Sequence, residues 1–384
     1  MLPGLALLRA CWLVAWANLR QRPMRSLVAT TGIAFAIFLM FLQLGFLDSA
    51  RRASTQIFEF FDFDLALVAR DYQFLYSAPR FDRIRLTQLA ASPDVAETFN
   101  LNIDSAYWLD PRSERRSSLL LIGIEAKPAF LAEPAVRRGL GALDDDRRIL
   151  ADAFSHADYG DVGIGANARI GARDVTVAGQ YALGPFFYAD GSAIALDGAF
   201  ARLSSRNARQ INFGLVRLRP GIEPAAAVRS LTASLPDDVT VLTKDELIAQ
   251  EQTYFVTVKP LGIMFRAGVA VALIVGVVIL FQVLSTEINN HLKEYATMKA
   301  IGFGRRFVYG IGIVLTALFG LFAFLPAAAI SVFVFAHVRE VSHLPIAMTR
   351  PLLFSVLALS LAMAVAAGLI TLHRVRRADP AELF

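Results

Sequence analysis

The sequence predicts an α-helical integral membrane protein with four transmembrane helices and a large α+β extracytoplasmic domain between the first and second. Three observations carry this reading. Apolar residues make up 55% of the 384 and charged residues only 18%, too greasy a balance for an ordinary soluble chain. The apolar excess falls in four runs, each near the ~20 residues that cross a hydrocarbon core. The lysines and arginines flanking those runs all agree on one topology.

Residues 1–25 read as a cytoplasmic, interfacial amphipathic helix, with Trp12 and Trp16 one turn apart at headgroup depth. Arg20, Arg22 and Arg25 follow its apolar run, whereas a signal peptide carries its charges in front. Residues 26–48 form the first span, and its basic N-terminal flank places both that end in the cytoplasm and everything after Asp48 outside. Residues 49–260 are the α+β domain, opening with a helical continuation over Ser49–Phe61. Strand-like runs follow at Leu65–Val68, Leu119–Ile124, Val175–Val177, Ile194–Leu196 and Leu215–Leu218, and helical runs at Leu86–Ala91, Pro224–Leu235 and Lys244–Val258. Gly and Pro pairs punctuate them, and the charged Arg137–Arg148 segment is read as the junction of two lobes.

Residues 261–284 form the second span, where Gly268, Ala272 and Gly276 repeat at i, i+4, i+8 and make a face another helix can approach closely. The third span, 307–335, holds Pro326 as an expected kink. A short outer loop with His337 and His343 leads to the fourth, 351–373. Pro351 opens it, as proline suits a first helical turn, and Ser360, Ala364 and Gly368 repeat the small-residue face. Arg374, Arg376 and Arg377 then hold the C-terminus in the cytoplasm.

The search for chemistry returns mostly exclusions. A phosphate-cradling loop needs Gly-Lys before Ser or Thr, and none of the five lysines follows a glycine. No HExxH or GxSxG occurs, and a single cysteine, Cys11, excludes an internal disulfide. Gly163-Ile-Gly165-Ala-Asn-Ala168 fits a dinucleotide pattern, but no apolar strand precedes it, so it reads as a turn. His337 and His343 are placed to share a metal but read as the solvated edge of a loop, and Asp144–Asp146 lacks the spacing and glycine of a calcium loop and reads as a solvated turn. The chain is therefore expected to be non-catalytic, with no cofactor or metal of its own, and its modest net charge of +5 points to no nucleic acid.

The one long polar interval between the second and third spans, QVLSTEINNHLKEYATMKAIGFGRR over Gln282–Arg306, carries a sparse apolar stripe at Ile288, Leu292, Tyr295 and Met298. That is one face of a short helix, which Gly302 and Gly304 end. It is too brief for a catalytic domain and the right size for another protein to grip.

HLKEYATMKAIGF, with FQVLSTEI before it, WANLRQRPMRSLVATTGIAFAIFLMFLQLGF near the start and RRADPAELF at the end, resembles the FtsX-like ABC transporter permeases. The resemblance is nearest to their DevC-type branch, related to MacB and the lipoprotein-releasing permeases. It implies that residues 49–260 are a MacB-like periplasmic core, that 261–384 are the FtsX-like permease domain, and that 285–306 are the cytoplasmic coupling loop. Leu292, Lys293, Glu294, Tyr295, Ala296, Thr297, Met298, Lys299, Ala300, Ile301 and Gly302 would then meet the ATPase. The implied partners are an ABC ATPase subunit of the LolD, MacB or DevA kind, which holds the ATP and Mg, a second copy of the chain as a homodimer, a periplasmic membrane-fusion adaptor, an outer-membrane duct and membrane lipids. The implied place is the bacterial inner membrane, and the implied work is efflux of a lipid-like or amphiphilic substrate. The other reading is an FtsX-like signalling permease that switches an external cell-wall hydrolase and transports nothing.

Overall fold

The computed structural model describes residues 23–184, 189–258, 260–290 and 305–377, so the interfacial helix expected at 1–25 lies almost wholly outside the described residues. Helix α1 (Pro23–Thr55) is followed by strand β1 (Leu65–Ala69), β2 (Phe81–Asp82), α2 (Ile84–Ala90), β3 (Val95–Leu109), β4 (Arg116–Ile124) and α3 (Pro134–Gly139). Next come β5 (Arg148–Asp152), β6 (Asn167–Ile170), β7 (Arg173–Tyr181), β8 (Gly191–Leu196), α4 (Asp197–Leu203), β9 (Gln210–Ile211) and β10 (Phe213–Leu218). The chain ends with α5 (Pro224–Ser234), β11 (Val239–Thr243), α6 (Lys244–Thr257), α7 (Pro260–Asn290), α8 (Arg305–Ser342) and α9 (Arg350–Arg377).

These elements form two compact units, one of residues up to Asp48, Ile263–Arg339 and from Ile346 onward, the other of Ser49–Gly262 with Glu340–Pro345. The first unit is helical. Four helices are long and apolar enough to cross a membrane, with windows Ser26–Phe60, Pro260–Thr286, Gly312–Ser342 and Arg350–Thr371. Helix α8 continues unbroken through Pro326. Within this unit Ile33, Ile37 and Phe41 of α1 pack among Leu280, Leu318 and Val356, and Phe41 meets Phe324 at a ring separation of 5.6 Å. Val271, Ile274, Val278, Phe333, Val365 and Leu369 stay exposed, the outward apolar faces that a bilayer solvates.

The second unit is built on one nine-stranded sheet, in the order β11-β1-β10-β3-β4-β8-β5-β7-β6. Strand β1 is buried on both faces: Leu65, Leu67 and Ala69 enter one apolar cluster, and Ala66 and Val68 another. The alternation follows from the strand's period of two. Strand β3 pairs with β10 along its first half and with β4 along its second. At its far end Trp108 and Leu109 also pair with Ile170 and Arg169 of β6. That last pairing closes β3, β4, β8, β5, β7 and β6 into a six-stranded barrel, and closure leaves no edge there to pair wrongly. The barrel is filled by residues such as Trp108, Leu121, Ile149, Tyr159 and Val177.

The expected strands and helices of this domain all have counterparts, and so does the helical continuation after the first span, which ends as a 3-10 turn over Gln56–Phe60. The lobe junction differs. Arg137–Arg148 is no linker: Leu143 is buried in the larger core with Leu140 packed against it, and the segment leads straight into β5. The open sheet and the barrel instead share β3, and the chain returns from α4 to β9 through residues 204–209. Phe213 of β10 lies at the centre of the open part, edge-on to Phe58 at 5.7 Å and to Tyr72 at 5.3 Å. Phe213→Ala is expected to cost about 3–5 kcal/mol, read as faster amide hydrogen exchange across β1, β10 and β3 in detergent-solubilised protein.

Candidate functional site

The expected coupling residues, Leu292 to Gly302, lie outside the described residues; α7 ends before them at Asn290 and α8 begins after them at Arg305. The small-residue faces of the second and fourth spans are described. A Cβ on Gly268 would lie 2.4 Å from Cδ of Gln43, and one on Gly276 2.1 Å from Sδ of Met363 and 3.2 Å from Cβ of Ala36. Ala272 between them is 1% exposed. These glycines let α7 approach α1 and α9 at backbone distance. On α9, Ala364 lies 3.7 Å from a Cβ built on Gly320, and a Cβ on Gly368 would lie 3.7 Å from Oγ1 of Thr316. Ser360 turns its hydroxyl inward along its own helix, donating to the Leu357 carbonyl at 2.8 Å.

Sequence reasoning missed a polar cluster in the sheet domain. Asn100 and Asn102, two positions apart on one face of β3, donate to the two carboxylate oxygens of Asp197 at 2.6 and 2.8 Å. Arg83 reaches the same carboxylate at 3.2 Å and also pairs with Glu125, which Lys127 meets at 2.8 Å. Arg206 grips both oxygens of Asp104, its Nε at 2.6 Å. No local pattern announces this cluster, because Asn100 and Asp197 stand 97 positions apart. The residues resemble ordinary solvated polar positions until the sheet folds.

Two buried carboxylates are also present. Asp152 is fully buried and accepts from the backbone N–H of Phe154, Leu183 and Gly184 at 3.0, 3.0 and 2.8 Å, and from Ser192 Oγ at 3.3 Å. Burial pushes its carboxyl up while those donors pull the other way. Glu251, on α6, is 2% exposed and accepts from the Tyr72 hydroxyl. Burial raises its carboxyl to about 8, outweighing that hydrogen bond. Its neighbours bind the same segment: Gln250 Nε2 donates to the Tyr72 carbonyl at 2.9 Å, and Tyr254 stacks on Phe74 at 4.7 Å.

Among the described residues no group of three or more His, Cys, Asp or Glu side chains could hold a metal. Asp144 and Asp146 pair with Arg148 and Arg202. His343 stacks on Phe154 at 3.9 Å, so its ring is engaged with an aromatic face and not merely solvated. The glycine pattern at Gly163 forms the turn entering β6, where Ala166 N–H donates to the Gly163 carbonyl at 3.0 Å and Gly165 takes a φ of 89°.

Residues 266–380 match the family model described as the FtsX-like permease C-terminal domain; that part of the chain is an FtsX-like permease domain. No curated protein matches the chain. Among solved structures, the periplasmic region of MacB from Actinobacillus actinomycetemcomitans aligns at 11% identity and a TM-score of 0.35, over 49% of this chain and 92% of that one. The extracellular domain of the noncanonic ABC-type transporter YknZ from Gram-positive bacteria aligns at 14% and 0.32, over 47% and 98%. A domain of a permease protein from Porphyromonas gingivalis aligns at 17% and 0.29, over 47% and 92%.

Two outcomes follow from this geometry. Gly276→Leu is expected to destabilise the helical unit by about 1–3 kcal/mol through overpacking. The check is a lowered thermal midpoint in detergent, with Gly276→Ala lowering it less than Gly276→Leu. Glu251 has a folded-state pKa of about 8 against an ordinary value of 4.5. The native state therefore holds a proton that the unfolded chain releases between those values, and stability falls as pH rises through that window. Thermal unfolding of Glu251→Gln, followed by circular dichroism between about pH 5 and about pH 9, roughly two decades either side of neutrality, is expected to show a shallower decline than wild type.

Proposed function

We propose that this chain is the membrane subunit of an ABC-type exporter, acting in the bacterial inner membrane with both termini in the cytoplasm and the sheet domain in the periplasm. The observation that carries the reading is the family match over 266–380, which covers most of α7, the polar interval, α8 and α9. The chain has no phosphate-cradling sequence of its own, so a separate ABC ATPase supplies the work. Its closure on ATP pushes on Glu294, Tyr295, Thr297 and Lys299, with Leu292 and Met298 as apolar anchors. Two copies of the chain pair, and α1 and α7 carry the movement to the domain that follows one and precedes the other.

A lipid-like or amphiphilic substrate, a periplasmic adaptor and an outer-membrane duct complete this reading. The basic clusters at Arg20–Arg25 and Arg374–Arg377 support the orientation, since cytoplasmic flanks concentrate lysine and arginine. Reversing the charges of the coupling segment tests the central step. With Glu294→Arg and Lys299→Glu together, ATP hydrolysis by the reconstituted complex is expected to fall towards the rate of the ATPase alone, while membrane insertion and dimerisation persist. Unchanged stimulation in that variant defeats the docking role.

A further inference from the structure

A cavity of about 240 Å³ opens where the return from α4 to β9 passes β3. It lies between the β2–β9 ribbon, flanked by Arg80 and Arg83, and the segment that follows barrel strand β8, which supplies Asp197, Phe200 and Arg206. Junctions of this kind are where ligand sites concentrate. Three guanidinium groups line this one space.

The charges around it do not cancel. Arg83 is held by Glu125 and Asp197, Arg206 by Asp104, and Lys127 by Glu125 and by the Thr98 carbonyl at 2.7 Å. Among the described residues no carboxylate comes within 4.0 Å of Arg80, although it is near enough to Asp104 to oppose the upward push of burial on that carboxyl. The cavity lining itself holds three cations, Arg80, Arg83 and Arg206, and one acid, Asp197, while Asp104 and Glu125 meet Arg206 and Arg83 from outside the lining. The paired arginines are oriented before any ligand arrives, so little side-chain freedom remains to be lost on binding.

We propose that this cavity binds a phosphate-like oxyanion, with Arg80 supplying the uncompensated charge and Arg83 and Arg206 presenting the N–H groups their carboxylate partners leave unused. Guanidinium groups suit such a ligand because their planar donors match the oxygens of a phosphate group in pairs. A bound anion would touch both the β2–β9 ribbon and the segment after β8, so occupancy ties these two parts of the domain together. The inference is independent of how the chain couples to an ATPase.

The test is calorimetric titration of the full-length protein in detergent with inorganic phosphate at constant ionic strength. Saturable binding with a raised thermal midpoint is expected in wild type. Arg80→Ala should weaken it by about tenfold or more, the loss of one charged hydrogen bond, with its own unliganded midpoint unchanged, and Arg80→Lys should recover part of the affinity. Dihexanoyl phosphatidylglycerol and dihexanoyl glycerol, both below their micelle concentrations, distinguish the source of the anion. Binding of the first and not the second supports a lipid headgroup as the ligand, and binding of phosphate alone supports a free ion. No saturable phosphate binding in wild type, or equal affinity in Arg80→Ala, overturns the proposal.

Discussion

Strand β3 is the constraint on which the sheet domain depends. A strand must place every backbone N–H and C=O, since a buried polar group without a partner costs as much as a lost hydrogen bond. Over fifteen residues β3 meets this demand with three different neighbours. Its first half belongs to an open sheet and its last two residues close a barrel. One face near its middle also carries Asn100 and Asn102, and the Asp197 carboxylate they grip opens the helix that follows β8. The barrel, the open sheet and the polar cluster between them therefore share one backbone path.

Much of this architecture was legible before folding, and for a clear reason. A span announces itself by twenty apolar residues in a row, and short strands such as Leu215–Leu218 by their local apolar pattern. The helix opening at Lys244 was visible too as a helical run, and the structure adds its reciprocal cap: Thr243 Oγ1 accepts from Glu246 N–H at 3.1 Å and Glu246 accepts from Thr243 N–H at 2.8 Å. Strand β3 was not visible. Only its middle alternates, Phe99, Leu101 and Ile103 with Asn100, Asn102 and Asp104, and that pattern predicts a solvated polar face where Asn100 is in fact fully buried. Its burial is stabilised by a carboxylate from another element, information that no window of neighbouring residues contains.

The same contrast holds for the sites. Spacing alone shows that Gly268, Ala272 and Gly276 share a helix face, but spacing cannot say that Gln43 and Met363 occupy the space their missing side chains leave. The expected coupling residues, Leu292 to Gly302, rest on the sequence motif alone, a polar interval between two apolar runs. Glu251 was hidden altogether. On sequence it is one more acid in a polar helix, and its proton is a consequence of the wall built around it by residues 72–75.

Trp108 gives the barrel its own optical reporter. Its indole is 1% exposed, donates to the Tyr159 carbonyl at 3.0 Å, and lies 5.2 Å from the Tyr159 ring. An indole held dry in this way emits at shorter wavelength than a wetted one, and a phenol so close passes it excitation energy. The other two tryptophans, Trp12 and Trp16, precede the first span in the chain. Exchanging them for phenylalanine would leave a single emitter inside the barrel, so that its opening and closing could be followed by light without any attached dye.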